Sequence, residues 1–392
     1  MNIQIINISK VINLDFYVKK YGIVESDLNF YKYALEIRNI TLQITDKIVS
    51  LFRNQKVLIN HSRQLNENSV FVLSPYRKVF TNVENAESLV EENIIHQIKL
   101  TCDNYFNFDT KRFKIKNNLF DYSSLYIMGI LNVTPDSFSD GGKYFSHDSA
   151  VKRAIKMIDS GVDIIDIGGE STRPGADSVN ESEEIERVIP VIQEILNSRP
   201  DAIISVDTAK SKVAAYAIDA GASLINDISA FSFDDEIVDV AREYDVPYIL
   251  MHMKGTPRTM QNSPFYEDPV ADIYDFLNVK VEQLLFKGVK NIIIDPGIGF
   301  GKRVSDNMEI INRLFEFKGL GLPLLIGLSR KSFLGKILNL GIDDRDIATI
   351  IAESLSVSNG ATIVRTHNTD YAMQLKEITN YSKNQIEKIK VL

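Results

Sequence analysis

The sequence predicts an α/β chain with a smaller N-terminal α+β domain over residues 1–120 and a (β/α)8 TIM barrel over residues 121–392. Three observations predict the barrel. Eight short β-rich apolar runs follow Ser124, helical stretches alternate with them, and distinctive polar side chains come directly after the runs. Alternating strands and helices imply a parallel sheet, and eight such units in roughly 265 residues fit a closed barrel better than an open sheet.

The N-terminal region differs from the rest of the chain in composition, because residues 1–120 hold a single glycine and a single proline. Ala34–Phe52 fits a helix by its spacing and strands by its β-branched content, so both interpretations stay open. Val70–Leu73 predicts a short strand, and Ala86–Ile98 predicts an amphipathic helix. The polar segment Asp103–Asn118 predicts the boundary between the two domains.

The barrel elements follow in regular order. The predicted strands are Leu125–Val133, Asp163–Gly168, Ala202–Val206, Ser223–Asp227, Pro247–Met251, Asn291–Asp295, Pro323–Leu328 and Ala361–Arg365. Among the helices between them, Ser149–Ser160, Ala209–Ala220 and Asp344–Asn359 each end directly before a glycine. Glycine at that position is the usual C-terminal stop of a helix.

Composition restricts the possible partners. A net charge of -8 and a pI near 5.3 argue against nucleic acid or an anionic membrane as the main partner, although a local basic pocket remains possible. The single cysteine, Cys102, excludes an internal disulfide and supplies no metal motif. We find no apolar run of about 18 residues and no signal peptide, so we expect a cytoplasmic protein without membrane segments.

Polar side chains of the barrel region lie at the carboxyl ends of the predicted strands, where barrel enzymes place their sites. One such residue could simply cap the next helix, but a residue at every strand end makes that explanation weak. In strand order the main ones are Asn132, Arg173, Asp207, Asn226, His252, Asp295 and Lys331, followed by Arg365 and His367.

These residues divide into acceptors and cations. Asp207, Asn226 and Asp295 suit a flat ligand with several N–H donors, because a carboxylate accepts two parallel hydrogen bonds. The cations, which suit a phosphate or diphosphate, are Lys331, Arg365, His367 and Arg173. Alternatives stay open: Asp207 could cap a helix, Asp295 could belong to a turn, and His252 could be a core histidine.

The segment ILNVTPDSFSDGG, residues 130–142, places Asn132 at a strand end and two aspartates in the loop that follows. Asn132, with Asp136 and Asp140, could bind Mg2+ directly or through water, and diphosphate oxygens would complete the coordination shell. An Asx-rich turn is the alternative interpretation. A zinc site is not expected, because the histidines are scattered.

An ordered set of motifs resembles the dihydropteroate synthase family across roughly residues 124–369. The matching blocks are ILNVTPDSFSDGG, DIIDIGGESTRPGA, SVDT, INDIS, LMHMKGTPRTMQ, IIIDPGIGFGK, GLSRKSFLG and IVRTH. The resemblance implies a Mg2+-dependent condensation of 6-hydroxymethyl-7,8-dihydropterin diphosphate with 4-aminobenzoate that releases diphosphate. It also implies sulfonamide inhibition and a homodimer built on barrel helices.

The resemblance implies a role for each matching position. The residues expected at the pterin are Asp207, Asn226, Asp295 and Lys331, with Met251, Phe300 and Gly327 shaping its slot and Arg365 stacking on it. Those expected at the diphosphate and its Mg2+ are Asn132, Arg365 and His367. Those expected to close over 4-aminobenzoate are Asp136, Phe138, Asp140, Thr172, Arg173, Pro174 and Ser332. The residues that we expect to be catalytic are Asp207, Asp295, Lys331, Arg365 and His367.

The chain departs from the family pattern at three positions, where Asn368 replaces aspartate, Arg303 replaces threonine and Asp306 replaces histidine. We expect these changes to tune activity. The N-terminal region is unusual for the family, and Ser69–Val79 is faintly similar to the end of hydroxymethyldihydropterin pyrophosphokinase, so we expect a degenerate accessory domain. The rival functions are a pterin-binding methyltransferase that acts with a corrinoid protein and a non-catalytic pterin-binding scaffold.

Overall fold

A computed structural model describes most of the chain and divides it into two compact units. The described residues are 1–11, 14–23, 30–52, 57–64, 67–74, 80, 89–134, 143–171 and 179–391. The N-terminal unit consists of Met1–Phe108, Tyr266–Asn278 and Met308–Gly321. The barrel unit consists of Asp109–Phe265, Val279–Asn307 and Leu322–Leu392.

The N-terminal unit is built on an antiparallel sheet of four strands in the order β1-β2-β4-β3. Its elements are β1 Asn2–Asn7, α1 Leu14–Tyr21, β2 Tyr33–Ile40, α2 Leu42–Phe52, β3 Leu58–Gln64, β4 Glu67–Ser74 and α3 Leu89–Phe106. The predicted strand Val70–Leu73 lies within β4. Helix α3 includes residues 89–98 of the predicted helix and continues to Phe106, whereas residues 86–88 lie outside the described part of the chain.

The ambiguous stretch Ala34–Phe52 contains both predicted structures, a strand and then a helix. The change occurs at Thr41, whose hydroxyl accepts a hydrogen bond from the backbone N–H of Ile44 at 3.3 Å. A threonine in this position caps the first turn of a helix. The β-branched content and the helical spacing therefore belonged to successive elements, β2 and α2.

The N-terminal unit contains a buried polar network around Arg313. The guanidinium donates to Asp268 at 3.0 Å, to Glu316 at 2.8 Å and to the hydroxyl of Tyr17 at 3.0 Å. Tyr17 in turn donates to Asp268, and Gln4 donates to Glu316 at 2.7 Å. All five side chains are buried. This unit is therefore discontinuous in sequence, which a boundary placed near residue 120 does not foresee.

The barrel unit begins with a hairpin, β5 Arg112–Ile115 and β6 Asn118–Asp121. The strands that follow are β7 Tyr126–Asn132, β8 Ile164–Gly168, β9 Ile204–Asp207, β10 Leu224–Asp227, β11 Tyr248–Met251, β12 Ile292–Asp295, β13 Leu325–Gly327 and β14 Ile363–Thr366. The helices in this part of the chain are α4 Lys143–Asp159, α5 Glu181–Ser198, α6 Ser211–Asp219, α7 Ile237–Glu243, α8 Pro269–Phe286, α9 Val304–Asn312, α10 Ser332–Leu338, α11 Asp346–Ser358 and α12 Thr369–Val391. Residues 269–278 of α8 and 308–312 of α9 belong to the N-terminal unit.

The eight strands form one parallel sheet in the order β12-β11-β10-β9-β8-β7-β14-β13. A parallel bridge between Ile294 and Leu324 connects β12 to the residue before β13, and this contact closes the cylinder. The predicted (β/α)8 barrel is therefore confirmed, with each strand within a few residues of its predicted position. No helix among the described residues combines the length and apolar character needed to cross a membrane.

A ring of apolar side chains fills the lower interior of the barrel, one from each strand or its first flanking residue. The ring consists of Met128, Ile164, Ile203, Leu224, Ile249, Ile293, Leu325 and Ile363. Ile115 and Phe120 of the hairpin belong to the same buried cluster. These residues also identify which face of each strand points inward, and that direction places the functional side chains.

Candidate active site

Side chains alternate along a strand, so residues two or four positions after the apolar ring point into the same interior. This rule applies to seven of the predicted site residues. They are Asn132, Asp207, Asn226, Met251, Asp295, Gly327 and Arg365. All lie at or near the carboxyl ends of their strands, which is the catalytic face of such barrels.

Arg365 is the centre of a group of polar contacts inside the barrel. Its Nε donates to Asp166 Oδ2 at 2.6 Å, and its Nη2 donates to Asp207 Oδ2 at 2.5 Å. The same Asp166 oxygen accepts from Asn226 Nδ2 at 3.1 Å. Arg365 thus contacts Asp207 directly, and it is joined to Asn226 through the carboxylate of Asp166, which was not predicted.

Asp207 does not cap the next helix. Helix α6 begins at Ser211, whose backbone N–H donates to Asp234 at 2.6 Å instead. Burial raises the pKa of Asp207 to about 7, and the adjacent Arg365 opposes that rise. A cavity of about 1130 Å³ opens beside Asp207 and is also lined by Lys210 and Phe231. Its lining includes none of the other residues expected at the pterin, so the contact with Arg365, rather than this cavity, connects Asp207 to the predicted site.

Lys331 lies before α10 and reaches back over the loop that follows β12. Its Nζ donates to the carbonyl of Ile298 at 2.8 Å and lies 4.0 Å from the centre of the Phe300 ring. Burial lowers the pKa of Lys331 to about 8, whereas the charge of Asp295 opposes that fall. Gly299 has a φ of +83°, and a Cβ there would lie 3.0 Å from Lys331 Cδ. The absence of a side chain at Gly299 therefore leaves space for the side chain of Lys331.

Asp295 partly fulfils the alternative interpretation as a turn residue. Its Oδ1 accepts from the N–H of Gly297 at 2.7 Å, and the residue is buried at the end of β12. Burial raises the pKa of Asp295, and the Gly297 N–H and the charge of Lys331 oppose the rise. A carboxylate has a second oxygen, so one turn contact still leaves acceptor capacity for a ligand.

His252 is a buried structural histidine, as the alternative interpretation proposed. Its Nδ1 lies 2.9 Å from Nζ of Lys302, which also donates to the carbonyls of Gly297 at 2.7 Å and Phe300 at 3.0 Å. Both side chains are buried. Burial lowers the pKa of Lys302 well below its usual value. Lys302 therefore fixes the loop that carries Phe300.

His367 is oriented by Ser329. The serine hydroxyl lies 2.9 Å from His367 Nδ1 and accepts from the backbone N–H of the same residue at 3.1 Å. Asn132 lies half-buried at the end of β7, which pairs with β14. Ser332 is exposed at the first residue of α10. Each of these predicted residues lies at the carboxyl end of the barrel.

Six predicted residues lie outside the described part of the chain. Three belong to the loop after β7, namely Asp136, Phe138 and Asp140, and three to the loop after β8, namely Thr172, Arg173 and Pro174. On both sides of the second segment, described residues contact Lys210. Its Nζ lies 2.5 Å from Glu170 and 2.8 Å from the carbonyl of Val179.

Comparison with known proteins identifies the family. The pterin-binding enzyme family matches residues 128–367 of the chain. The chain belongs to this family.

Similar family members include dihydropteroate synthases, which are transferases. The enzyme of Synechocystis sp. is 44% identical over 270 residues, which cover 68% of this chain and 93% of that protein. A structure of the Yersinia pestis enzyme with a sulfonamide drug is 39% identical, with a TM-score of 0.66, and covers 70% of this chain and all of its own. The Xanthomonas albilineans enzyme with 4-aminobenzoic acid is 34% identical, with a TM-score of 0.64, covering 72% of this chain and 99% of its own. The family resemblance inferred from the sequence is therefore confirmed.

Two of the three departures from the family pattern pair with each other. Asp306, in the first turn of α9, accepts from the backbone N–H of Arg303 at 2.8 Å and from its guanidinium Nη2 at 2.7 Å. The third departure, Asn368, donates to Asp346 at 2.9 Å and accepts from the N–H of Tyr371 at 3.2 Å, so it caps α12. All three have local structural partners, and their expected effect on activity stays a prediction.

Three residues with contacts to the site were missed from the sequence: Asp166, Lys302 and Ser329. Asp166 stands inside the strand rather than after it, between two isoleucines in DIIDIGG. A carboxylate in a buried parallel strand is energetically costly without partners. Its presence in this apolar run could therefore have indicated a paired, functional side chain. Lys302 and Ser329 follow the ends of β12 and β13, and each lies two positions from a predicted site residue, Phe300 and Lys331 respectively.

Proposed function

We propose that this family member works as a dihydropteroate synthase of folate synthesis. It condenses 6-hydroxymethyl-7,8-dihydropterin diphosphate with 4-aminobenzoate to give 7,8-dihydropteroate and diphosphate. The main support is the grouping of acceptors and cations at one barrel mouth, since Arg365 donates directly to Asp207 and shares the carboxylate of Asp166 with Asn226. Known relatives with this function are similar across the whole barrel.

The pterin ring is held by Asp207, Asn226 and Asp295, which offer hydrogen-bond acceptors to its N–H groups. Lys331 adds a hydrogen-bond donor to the pterin site. Phe300, whose ring centre lies 4.0 Å from the Lys331 Nζ, adds an apolar wall. Met251, buried at the end of β11, and Gly327, at the end of β13, shape the slot. Glycine at the end of β13 leaves space for a flat ligand.

The diphosphate is held by Arg365 and His367, and Asn132 would hold Mg2+ beside it. The carboxamide oxygen of Asn132 is a hard ligand of the kind that Mg2+ prefers, and substrate phosphates usually complete such a shell. Among the described residues, no group of three His, Cys, Asp or Glu side chains forms a metal site by itself. The carboxamide of Asn132, completed by phosphate oxygens of the substrate, fits a metal that binds together with the substrate. Bound Mg2+ would neutralise charge on the leaving diphosphate.

In the proposed reaction, the diphosphate leaves before the aniline nitrogen of 4-aminobenzoate attacks. The bond between the pterin methylene carbon and the diphosphate oxygen breaks, and the electron pair leaves with oxygen. The aniline nitrogen of 4-aminobenzoate then forms a bond to this carbon and loses a proton. Carboxylates such as Asp207 stabilise the developing positive charge, and Arg365 and His367 stabilise the departing negative charge.

The second substrate is proposed to lie between the loop segments that follow β7 and β8. The residues assigned to it are Asp136, Phe138, Asp140, Thr172, Arg173, Pro174 and Ser332. The Xanthomonas albilineans relative was solved with 4-aminobenzoic acid, and this supports the choice of substrate. The assignment stays a proposal, because only Ser332 belongs to the described residues.

A diphosphate-release assay with both substrates and Mg2+ tests the proposal. We expect turnover that requires 4-aminobenzoate and stops when the metal is chelated. A methyltransferase would instead transfer a methyl group to a corrinoid protein, and a scaffold would bind pterin without releasing diphosphate. Folded protein that binds pterin but releases no diphosphate would exclude the proposed function.

The pH dependence of kcat/KM should follow two groups of the free enzyme. Below a pH of about 7, Asp207 becomes protonated and loses acceptor capacity, because burial raises its pKa. Above about 8, Lys331 loses its charge, because burial lowers its pKa. We therefore expect a bell-shaped profile with a narrow maximum between these values. A flat profile from pH 6 to 9 would contradict these assignments.

A sulfonamide should compete with 4-aminobenzoate, since the Yersinia pestis relative was solved with such a drug. The expected result is a rise in the apparent KM for 4-aminobenzoate with kcat unchanged. Steady-state assays at several sulfonamide concentrations measure this directly. Inhibition that excess 4-aminobenzoate does not relieve would argue against a shared subsite.

The chain is proposed to form a homodimer through α11 and α12. Apolar side chains are exposed at helical spacing on α11, where Ile347 is 65%, Ile351 57% and Leu355 49% accessible. On α12, Ile378 is 72% and Tyr381 68% accessible. An extended apolar surface of this kind is typical of a protein interface. In a symmetric dimer one substitution on this surface appears twice.

Ile351→Asp is expected to convert the dimer into monomers, because a symmetric interface would bury two unpaired carboxylates. Size-exclusion chromatography with light scattering measures the mass. Phe286→Asp is the matched control: Phe286 is 93% exposed at the end of α8, and its replacement should leave the mass unchanged. A monomeric unmodified chain at micromolar concentration would contradict the dimer.

The N-terminal unit is proposed to be an accessory domain related to the pyrophosphokinase but without its activity. Support comes only from the sequence, where the faint similarity covers Ser69–Val79 and the expected glycine-rich start is missing. Incubation of the full chain with ATP and 6-hydroxymethyl-7,8-dihydropterin should give no AMP. AMP formation would contradict the proposed loss of activity.

A further inference from the structure

Asp166 is a fully buried carboxylate in the middle of β8. It follows Ile164 of the apolar ring by two positions, so its side chain points into the barrel. One oxygen, Oδ2, accepts from Arg365 at 2.6 Å and from Asn226 at 3.1 Å. The other, Oδ1, is buried and has no hydrogen-bond partner among the described residues.

A buried charge is costly unless it is paired. Asp166 is paired through one oxygen only, and both of its partners belong to the proposed binding site. Helix capping and turn formation do not explain an aspartate inside a strand, and its contacts lie on β10 and β14, far away in the sequence. The contacts of this side chain are therefore with Arg365 and Asn226, two residues of the proposed site.

Arg365 contacts two carboxylates that lie at different depths. Asp166 pairs in register with Ser205, whereas Asp207 follows Ser205 by two residues toward the barrel mouth. The deeper contact uses Nε of Arg365, and the shallower contact uses Nη2. A ligand that enters from the mouth reaches Asp207 before it reaches Asp166.

The contact between Arg365 and Asp207 competes with the proposed substrate. Asp207 Oδ2 accepts from Arg365 here, and the same carboxylate is expected to accept N–H groups of the pterin. A carboxylate that receives two parallel ligand bonds has to release or share its contact with the arginine. Arg365 Nη2 then becomes available to another anion.

We propose that Asp166 is the permanent counter-ion of Arg365, and that it positions this arginine while Asp207 exchanges the Nη2 contact for the pterin. Arg365 then remains held through Nε, and Nη2 turns to an oxygen of the diphosphate. Binding of the pterin ring thereby prepares the site for the departing group. This inference rests on the proposed function, and it makes Asp166 a positioning residue.

The test compares Asp166→Asn with the unmodified full chain. Asparagine keeps the size of the side chain and a carbonyl oxygen that can still accept from Asn226, but it removes the charge that holds Arg365. We expect the dissociation constant for 6-hydroxymethylpterin, which has no diphosphate, to change less than about 3-fold. The inhibition constant for inorganic diphosphate with Mg2+ should rise at least about 10-fold, and kcat should fall about 10- to 100-fold.

Asp163→Asn is the matched control. Asp163 precedes the same strand and pairs with Lys376 at 2.7 Å, at the end of the strand opposite the site. This variant should keep the kinetic constants of the unmodified chain. A loss of activity in Asp163→Asn equal to that in Asp166→Asn would show a general effect of strand charges and would overturn the proposal.

A double variant separates positioning of Arg365 from general damage to the barrel. If Asp166 acts through Arg365, then Asp166→Asn combined with Arg365→Gln should lose no more activity than Arg365→Gln alone. Additive losses would overturn the proposal, and so would equal loss of pterin and diphosphate affinity. Failure of the proposed function itself is distinct, because the unmodified chain would then release no diphosphate.

Discussion

Asp207→Asn is expected to lower kcat about 10²- to 10³-fold, the usual effect of removing one preorganised charged group from an active site. The substitution keeps the shape of the side chain but replaces a carboxylate oxygen by an amide NH2. That group repels the pterin N–H donors and cannot stabilise the positive charge that develops when diphosphate leaves. Diphosphate release at saturating substrates measures the effect.

The control for this prediction is Asp219→Asn, at the end of α6. Asp219 is exposed and accepts a hydrogen bond from the Tyr244 hydroxyl at 2.8 Å, so its replacement should leave kcat unchanged. Asp207→Asn should also remove the acidic limb of the pH profile, because the group whose pKa is raised to about 7 is gone. Retention of that limb would assign it to another residue. Full activity of Asp207→Asn would remove Asp207 from the mechanism.

The barrel could be predicted because its signals are local and repeated. Each strand is a short apolar run, each helix has a recognisable stop, and the distinctive polar residues stand at one end of the strands. Because side chains alternate along a strand, the core residues also indicate which later residues face the site. Asp295 and Arg365, for example, each stand two positions after a residue of the apolar ring. Sequence position alone therefore indicated most of the residues at the barrel mouth.

Asp166 could not be assigned to the site in the same way, because its role depends on hydrogen-bond partners from distant strands. It lies 199 residues from Arg365 and 60 residues from Asn226. Nothing in the local sequence indicates that these three side chains meet. The buried carboxylate in an apolar strand does indicate that a partner exists, but only the fold shows which one.

The N-terminal region posed a different difficulty. Its only glycine and proline are Gly22, directly after α1, and Pro75, directly after β4, and neither separates β2 from α2. These two elements therefore merge into one ambiguous stretch that the cap at Thr41 divides. Its buried polar network also depends on distant residues, because Tyr17 and Arg313 lie 296 positions apart. No local pattern could have predicted that segments from the second half of the chain belong to this compact unit.

Arg313→Met is expected to lower the free energy of unfolding of the N-terminal unit by about 3–5 kcal/mol, the usual cost of breaking a buried ion pair from one side. Arg313 is 1% exposed and donates to both Asp268 and Glu316. Methionine fills part of the volume but satisfies neither carboxylate. Asp268 must then become protonated or remain an unpaired buried charge.

Urea unfolding followed by two probes should detect this loss, because a chain with two compact units need not unfold in a single step. Arg199→Met is the control, since Arg199 pairs with Asp159 on the surface and exposed ion pairs contribute little. Tyr17→Phe removes one donor to Asp268 and should cost less, about 1–3 kcal/mol, because the arginine stays. Equal unfolding curves for Arg313→Met and Arg199→Met would show that this network adds no stability. A charged network that contributes no stability would have to be explained by specificity of packing instead.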